Sequence, residues 1–328
     1  MIIRITVKEW PRLFLALFIA TVLATCGEVT ELTTTENGQS EPEVSLGYTR
    51  INEPNENDPL DAHIFELDNG LRVYLTENHE EPRFYAEIAV RAGSKHDPAD
   101  GTGLAHYLEH LLFKGNENLG TLNYEAEKPY LDEIVELYEQ HFVETDEDRR
   151  AEIYSEINRV AQRAAEFAVP NEIDKLYNSM GGSGLNAHTW YEETVYKVGL
   201  PSNRLHQWAE IESDRFVNPV FRLFHTELET VYEEKNRTLD NGGRIIGTAI
   251  DELLYKIHPY GQQPTIGTVD HLKNPSLVYI QDYFDIYYVP NNMGIFISGD
   301  INIEETIALI SDESVSYTHL TLPTILLV

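Results

Sequence analysis

His106-Tyr107-Leu108-Glu109-His110 places two histidines four residues apart, with a glutamate directly before the second. On an α-helix, residues i, i+3 and i+4 lie on one face, so both imidazoles and the glutamate can approach one point. Neutral imidazole is a common zinc ligand, and a catalytic zinc site usually has three protein ligands and a position for water. The stretch therefore predicts a helical metal site that needs a third ligand, and the alternative is a surface helix with incidental histidines.

The order His-x-x-Glu-His inverts the better known His-Glu-x-x-His zinc signature, and its glutamate is the expected base. Several separate blocks of sequence accompany it. They are Val90-Arg91-Ala92-Gly93-Ser94, Gly103-Leu104-Ala105, Leu111-Leu112-Phe113-Lys114-Gly115, Gly184-Leu185-Asn186-Ala187-His188-Thr189, Pro259-Tyr260-Gly261, Tyr287-Tyr288-Val289-Pro290-Asn291-Asn292-Met293 and Ser298-Gly299-Asp300. With these blocks the chain resembles the insulinase/pitrilysin family of zinc peptidases, which includes the mitochondrial processing peptidases, from about residue 60 to about residue 310.

The resemblance implies an α+β fold of the metallopeptidase α/β roll type, in which helices cover an antiparallel sheet. It also implies that a later helix supplies the third ligand, seven residues after another functional glutamate. Glu234 and Glu227 fit that register, as zinc ligand and as supporting catalytic residue respectively. Glu233 is the rival for the ligand position, because neighbouring residues of a helix point about 100° apart. The alternative for residues 227–234 as a whole is an exposed acidic helix without a metal.

By the same resemblance, the chain is a zinc-dependent endopeptidase with one zinc per catalytic domain, acting on short or unfolded peptides. Zinc lowers the pKa of its water toward about 7, and Glu109 accepts the proton. An extended peptide is expected to add to a sheet edge near Val90 to Gly93, with Asn186 and Ala187 binding its backbone. A second, catalytically silent half or subunit completes a clamshell around the peptide. The alternative is a non-catalytic zinc-binding or scaffold subunit of an envelope complex.

Alternating apolar residues predict strands before the zinc motif. His63 to Leu67 and Leu71 to Thr76 flank the turn sequence Asp68-Asn69-Gly70, which predicts a hairpin. A further strand is expected from about Phe84 to Arg91, and helices then alternate irregularly with strands. This order of elements also predicts the α+β class.

Residues from about 121 to 176 are predicted to form an inserted helical hairpin. Its second helix has an apolar stripe at helical spacing, and Pro170 is expected to end it. Thr145 and Asp148 resemble a capping box at its start. The stripe consists of Ile153, Ile157, Val160, Ala161, Ala164, Phe167 and Ala168. A structural buttress and a lid over the substrate entrance are the two roles that the sequence leaves open.

The formal net charge of −31 argues against a nucleic-acid partner, because a phosphate backbone is bound mainly by an excess of Lys and Arg. About 250 residues of mixed composition are enough for one large core. The sequence thus predicts one catalytic zinc peptidase domain over residues 60–314.

The first 26 residues carry a basic start and an apolar run of signal-peptide length. Cys26, the only cysteine, follows Leu23-Ala24-Thr25 as in a bacterial lipobox, so a lipid on Cys26 is the one expected membrane attachment. Residues 27–59 are expected to be a flexible acidic linker. The signal sequence and the lipobox predict export to the bacterial periplasm or envelope. Residues 315–328 are interpreted as a tail that is not native to the protein.

Overall fold

A mixed sheet of seven strands organises this computed structural model, which describes residues 47–53, 55 and 57–314. The strands are β1 (Tyr48–Arg50), β2 (His63–Leu67), β3 (Arg72–Glu77), β4 (Arg83–Val90), β5 (Ser183–Thr189), β6 (Thr194–Pro201) and β7 (Met293–Gly299). They lie in the order β1-β2-β3-β7-β4-β6-β5. All neighbours are antiparallel except β3 and β7, which run parallel. The predicted α+β fold is confirmed, with one parallel pair in a sheet expected to be antiparallel.

Eleven α-helices follow or interrupt these strands within the described residues. They are α1 (Leu104–Leu111), α2 (Tyr124–Val143), α3 (Glu147–Ala165), α4 (Glu172–Ser179), α5 (Leu205–Val217), α6 (Phe224–Leu239), α7 (Gly242–Leu254), α8 (Pro259–Gln262), α9 (Val269–Leu272), α10 (Leu277–Tyr287) and α11 (Ile303–Ser314). The zinc motif lies on α1, as its spacing predicted.

One face of the sheet is apolar and lies under helices. In β4, Phe84, Ala86 and Ile88 are buried whereas Tyr85 is 43% exposed, because successive side chains of a strand point to opposite faces. Leu108 of α1 is fully buried in the same core. Helix α1 contacts β5 and β6, so the zinc motif lies over the end of the sheet that these two strands form.

The hairpin expected before the zinc motif is confirmed as β2 and β3, with Phe65 opposite Val73. Gly70 has a φ of 86°, a left-handed conformation that favours glycine, and Asn69 accepts a hydrogen bond from the backbone N–H of Leu71 (3.1 Å). β1, which lies inside the segment expected to be a linker, pairs with β2. The sheet therefore begins before the expected domain start at Leu60.

The predicted helical hairpin is present as α2 and α3, which pack against each other. Ile153, Ile157, Val160 and Ala164 of the expected stripe are buried. The predicted cap is one residue out of place. Asp146, rather than Thr145, is the N-cap of α3 and accepts a hydrogen bond from the N–H of Arg149 (2.9 Å).

A buried ion pair ties this hairpin to the rest of the domain. Arg222, 1% exposed, pairs with Glu127 of α2, which is fully buried, at 3.1 Å. The same guanidinium donates to the carbonyls of Lys114 (2.9 Å), Leu119 (2.8 Å) and Asn116 (2.7 Å). Arg222 therefore holds together the loop after α1, the helix α2 and the segment just before α6.

The predicted signal sequence and lipid-modified Cys26, most of the predicted linker, and the predicted tail from residue 315 lie outside the described residues. Within the part of the chain that the structure describes, no helix combines the length and apolarity that a bilayer span requires.

Replacing Arg222 with methionine is expected to lower the free energy of unfolding by about 3–5 kcal/mol, because Glu127 would stay buried without a partner. Urea denaturation followed by circular dichroism measures this change. Arg149→Met is the matched control, since it removes an exposed pair with Glu152 and should leave stability nearly unchanged. Equal stability of the two variants would contradict the anchoring role of Arg222.

Candidate active site

Helix α1 is fixed at its first turn by a buried carboxylate. Asp97, 4% exposed, accepts hydrogen bonds from the backbone N–H groups of Gly103 (2.8 Å) and Ala105 (2.9 Å). Gly103 has a φ of 88°, and a Cβ there would lie 2.7 Å from Cα of Gly267. In the next turn the hydroxyl of Tyr107 donates to the carbonyl of Phe224, the first residue of α6. These contacts set the position of the zinc motif relative to α6.

Three side chains predicted as metal ligands come together between α1 and α6. Nε2 of His106 lies 3.6 Å, and Nε2 of His110 3.8 Å, from Oε2 of Glu234. In the described part of the chain, His106, His110 and Glu234 form the only group of three or more His, Cys, Asp or Glu residues whose ligand atoms lie within 4.8 Å of one another.

These distances fit a shared metal better than direct bonding. They exceed the 2.7–3.2 Å of ordinary hydrogen bonds. Donor atoms on one tetrahedral zinc, each about 2.0–2.1 Å from it, lie roughly 3.3–3.4 Å apart. Two imidazoles and one carboxylate are also a ligand set found in catalytic zinc sites. His106, His110 and Glu234 therefore suit zinc in both chemistry and spacing.

The environment favours the ligating form of His106. Burial, and then the neighbouring charge of His110, lowers the pKa of His106 to about 3, so its imidazole is neutral at physiological pH. Only a neutral imidazole has a lone pair for a metal. Burial also lowers the pKa of His110, but the hydrogen bond to Glu227 and the charges of Glu109 and Glu234 outweigh it and raise that pKa overall.

Glu227 lies behind His110, seven residues before Glu234 on α6. Its Oε2 is 3.3 Å from Nδ1 of His110, and its Oε1 is 2.6 Å from Nζ of Lys114. A carboxylate on Nδ1 fixes the tautomer in which Nε2 is free to bind metal. Burial would raise the pKa of Glu227, but the bonds from His110 and Lys114 outweigh it and keep the carboxylate ionised.

Lys114 was not predicted as a site residue. It follows His110 by four positions, so the helical spacing was a usable signal even though α1 ends at Leu111.

The rival ligand Glu233 is exposed and lies outside the cluster. Of the two neighbouring glutamates, it is Glu234 that faces the histidines.

Glu109 lies on the same helix and is 7% exposed. Oγ1 of Thr189, at the end of β5, donates to its Oε2 at 2.6 Å. Burial raises the pKa of Glu109 above its usual value, against the lowering effects of Thr189, His110 and His188. A buried carboxylate with a raised pKa, beside a metal cluster, can accept a proton and return it.

The two predicted substrate residues lie on β5, where Asn186 is exposed and Ala187 partly buried. β5 is the last strand of the sheet on this side, so its outer backbone edge is unpaired among the described strands. The expected edge near Val90 to Gly93 is wrong, because β4 lies between β7 and β6 and Val90 pairs with residues of both. The free edge beside the site belongs to β5 itself.

Comparison with known proteins adds independent findings. The family described as "Insulinase (Peptidase family M16)" matches residues 72–128. The probable zinc protease PqqL of Haemophilus influenzae is 27% identical over 266 residues, which is 78% of this chain and 24% of that protein. The zinc protease PqqE of Helicobacter pylori is 25% identical over 252 residues, covering 74% of this chain and 44% of that protein. The chain thus spans less than half the length of these relatives.

Solved structures share the fold. Pitrilysin superposes with a TM-score of 0.60 at 19% identity, covering 83% of this chain and 24% of that chain. The first half of the periplasmic protease PqqL from Escherichia coli gives a TM-score of 0.57 at 23% identity, covering 77% of this chain and 45% of that chain. The predicted architecture of a sheet covered by helices is the one these structures have.

Glu234→Ala is expected to abolish zinc binding, because two imidazoles alone leave the cluster without its anionic ligand. Glu233→Ala, one residue earlier and exposed, is the matched control and should keep wild-type zinc. Elemental analysis of the purified proteins after dialysis measures zinc per chain. Loss of zinc in the Glu233 variant and not in the Glu234 variant would reverse the assignment.

Glu227→Gln is expected to weaken zinc binding by about 10–100-fold without abolishing it, since the residue acts through His110. A competition titration with a chromophoric chelator measures the dissociation constant. Glu229→Gln, an exposed neighbour on α6, should bind zinc as the wild type does. An unchanged dissociation constant in Glu227→Gln would mean that the contact with His110 does not support the site.

Proposed function

We propose that this chain, which belongs to the insulinase family as its sequence blocks predicted, is a zinc-dependent endopeptidase. His106, His110 and Glu234 would hold one zinc ion per catalytic domain. The observation that carries the proposal is the convergence of these three side chains on one point, with Glu109 next to them on α1. The names of the relatives, zinc proteases, support the same chemistry.

Zinc in this site would supply Lewis-acid chemistry, lowering the pKa of a water and polarising the scissile carbonyl. Glu109 then takes the proton from the attacking water and delivers it to the leaving amine. Its low exposure suits both steps, because a raised pKa lets the carboxyl group hold that proton between them. Glu227 keeps Nδ1 of His110 protonated, so Nε2 remains directed at the site.

The peptide would bind as an added strand along β5, with Asn186 and Ala187 beside the scissile bond. Strand addition uses main-chain hydrogen bonds, which any extended peptide can offer. Folded proteins rarely present such a free segment. Short or unfolded peptides are therefore the proposed substrate class.

A second half or subunit, catalytically silent, is proposed to close over this site. The support is that the chain covers 24% and 44% of two relatives, and that the first half of a longer protease shares its fold. That protease is described as periplasmic. Export to the periplasm, with a lipid on Cys26, is the corresponding proposal for this chain.

Glu109→Gln separates catalysis from metal binding. The variant should keep the zinc of the wild type and lose at least about 100-fold in the rate of peptide cleavage, because glutamine cannot accept the proton. Cleavage of a quenched fluorogenic peptide library by the zinc-loaded protein measures the rate. Glu152→Gln, on the exposed face of α3, is the matched control and should cleave at the wild-type rate. A Glu109→Gln protein as active as wild type would refute Glu109 as the base.

A further inference from the structure

The bond between Thr189 and Glu109 distinguishes the two oxygens of the carboxylate. Oγ1 of Thr189 is a hydroxyl with a single proton, and at 2.6 Å it donates that proton to Oε2. Oε1 is left as the oxygen that can accept a proton from water. Both residues are nearly buried, with 8% of Thr189 and 7% of Glu109 exposed, so bulk water does not compete strongly for this hydrogen bond.

The backbone around Thr189 is held on both sides. Thr189 pairs with Thr194 at the last register position of β5 and β6. Directly after it, the N–H of Trp190 donates to the carbonyl of Glu193 (2.8 Å), which closes the turn. The carbonyl of Trp190 in turn accepts from the N–H of Ser94 (3.0 Å), in the segment that leads to α1. These backbone hydrogen bonds therefore hold the Cα of Thr189, and with it the hydroxyl group, in place.

The turn after β5 packs directly against the segment after β4. A Cβ at Gly93 would lie 2.1 Å from the carbonyl oxygen of Trp190, so the two backbones are in direct contact. Thr194 adds a hydrogen bond from its hydroxyl to the carbonyl of Ala92 (3.0 Å). The turn after β5 and the segment after β4 are thus joined by packing and by hydrogen bonds.

The hydrogen bond from Thr189 acts on the last rotatable bond of the Glu109 side chain. A glutamate has three rotatable bonds, and its carboxylate can turn about the last of them with little cost. A base that is out of line by a fraction of an ångström to 1 Å can lose up to about 100-fold in rate. A fixed donor on one oxygen removes that freedom.

We propose that Thr189 is a positioning residue that orients Glu109 for proton transfer, so that Oε1 faces the water and Oε2 is held. This inference rests on the proposed function. It extends that function, because Thr189 lies on β5, two residues after Ala187. The strand that would bind the peptide is therefore also the strand that orients the base. β5 would position both the scissile bond and Oε1 of Glu109.

Two substitutions separate the hydroxyl from the shape of the side chain. Thr189→Val keeps the branched shape and removes the hydrogen bond, whereas Thr189→Ser keeps the hydroxyl. Thr189→Val should lower kcat by about 10–100-fold with KM within about twofold of the wild type and zinc content unchanged. Thr189→Ser should keep kcat within about threefold of the wild type. Thr306→Val, at a fully buried threonine of α11, is the control and should match the wild type.

The outcomes are distinguishable. Equal losses in the valine and serine variants, or a valine variant with wild-type kcat, would overturn the positioning role while leaving the peptidase intact. If Thr189→Val does not fold, Thr189→Ala replaces it, and the ratio of kcat between the serine and alanine variants decides. A wild-type protein that binds zinc and cleaves no peptide would contradict the proposed function, and this inference with it.

Discussion

The docking of α6 against α1 is the contact on which the site depends. Each helix carries only part of the ligand set, with two histidines on α1 and one carboxylate on α6. The hydroxyl of Tyr107 bonded to the carbonyl of Phe224 fixes the first turn of α6, and the contact between His110 and Glu227 attaches the same turn at a second point. Glu234 then follows Glu227 by about two helical turns and faces the histidines. A rotation of α6 by about 100° would present Glu233 instead.

The helical hairpin is part of this support. Glu127 of α2 binds Arg222, which lies immediately before α6. Tyr138, also on α2, packs edge-on against Phe224 and bonds Nδ1 of His225 through its hydroxyl (2.9 Å). These contacts hold the start of the helix that carries Glu227 and Glu234. They favour the buttress over the lid, the two roles that the sequence left open.

The part of the site that lies on α1 could be predicted from the sequence because it depends on local helical spacing. The helical period placed His106, Glu109 and His110 on one face. Glu227 and Glu234 were assigned differently, from the seven-residue interval that the resemblance to the insulinase family implied. The identity of β5 as the edge strand beside the site could not be predicted. It depends on β7, which comes from a distant part of the sequence and inserts between β3 and β4. For the same reason the strand leading to the zinc motif is central. The contacts of Lys114 and Thr189 likewise depend on tertiary packing, since each meets a partner more than 70 residues away.

The central claim is that His106, His110 and Glu234 bind one zinc ion. Anomalous diffraction at the zinc absorption edge, from crystals grown with zinc, tests it most directly. The expected result is a single strong peak between α1 and α6, about 2.0–2.2 Å from Nε2 of each histidine and from a Glu234 oxygen. A peak bound elsewhere, or no peak in well-ordered crystals whose α1 and α6 lie as described, would contradict the claim.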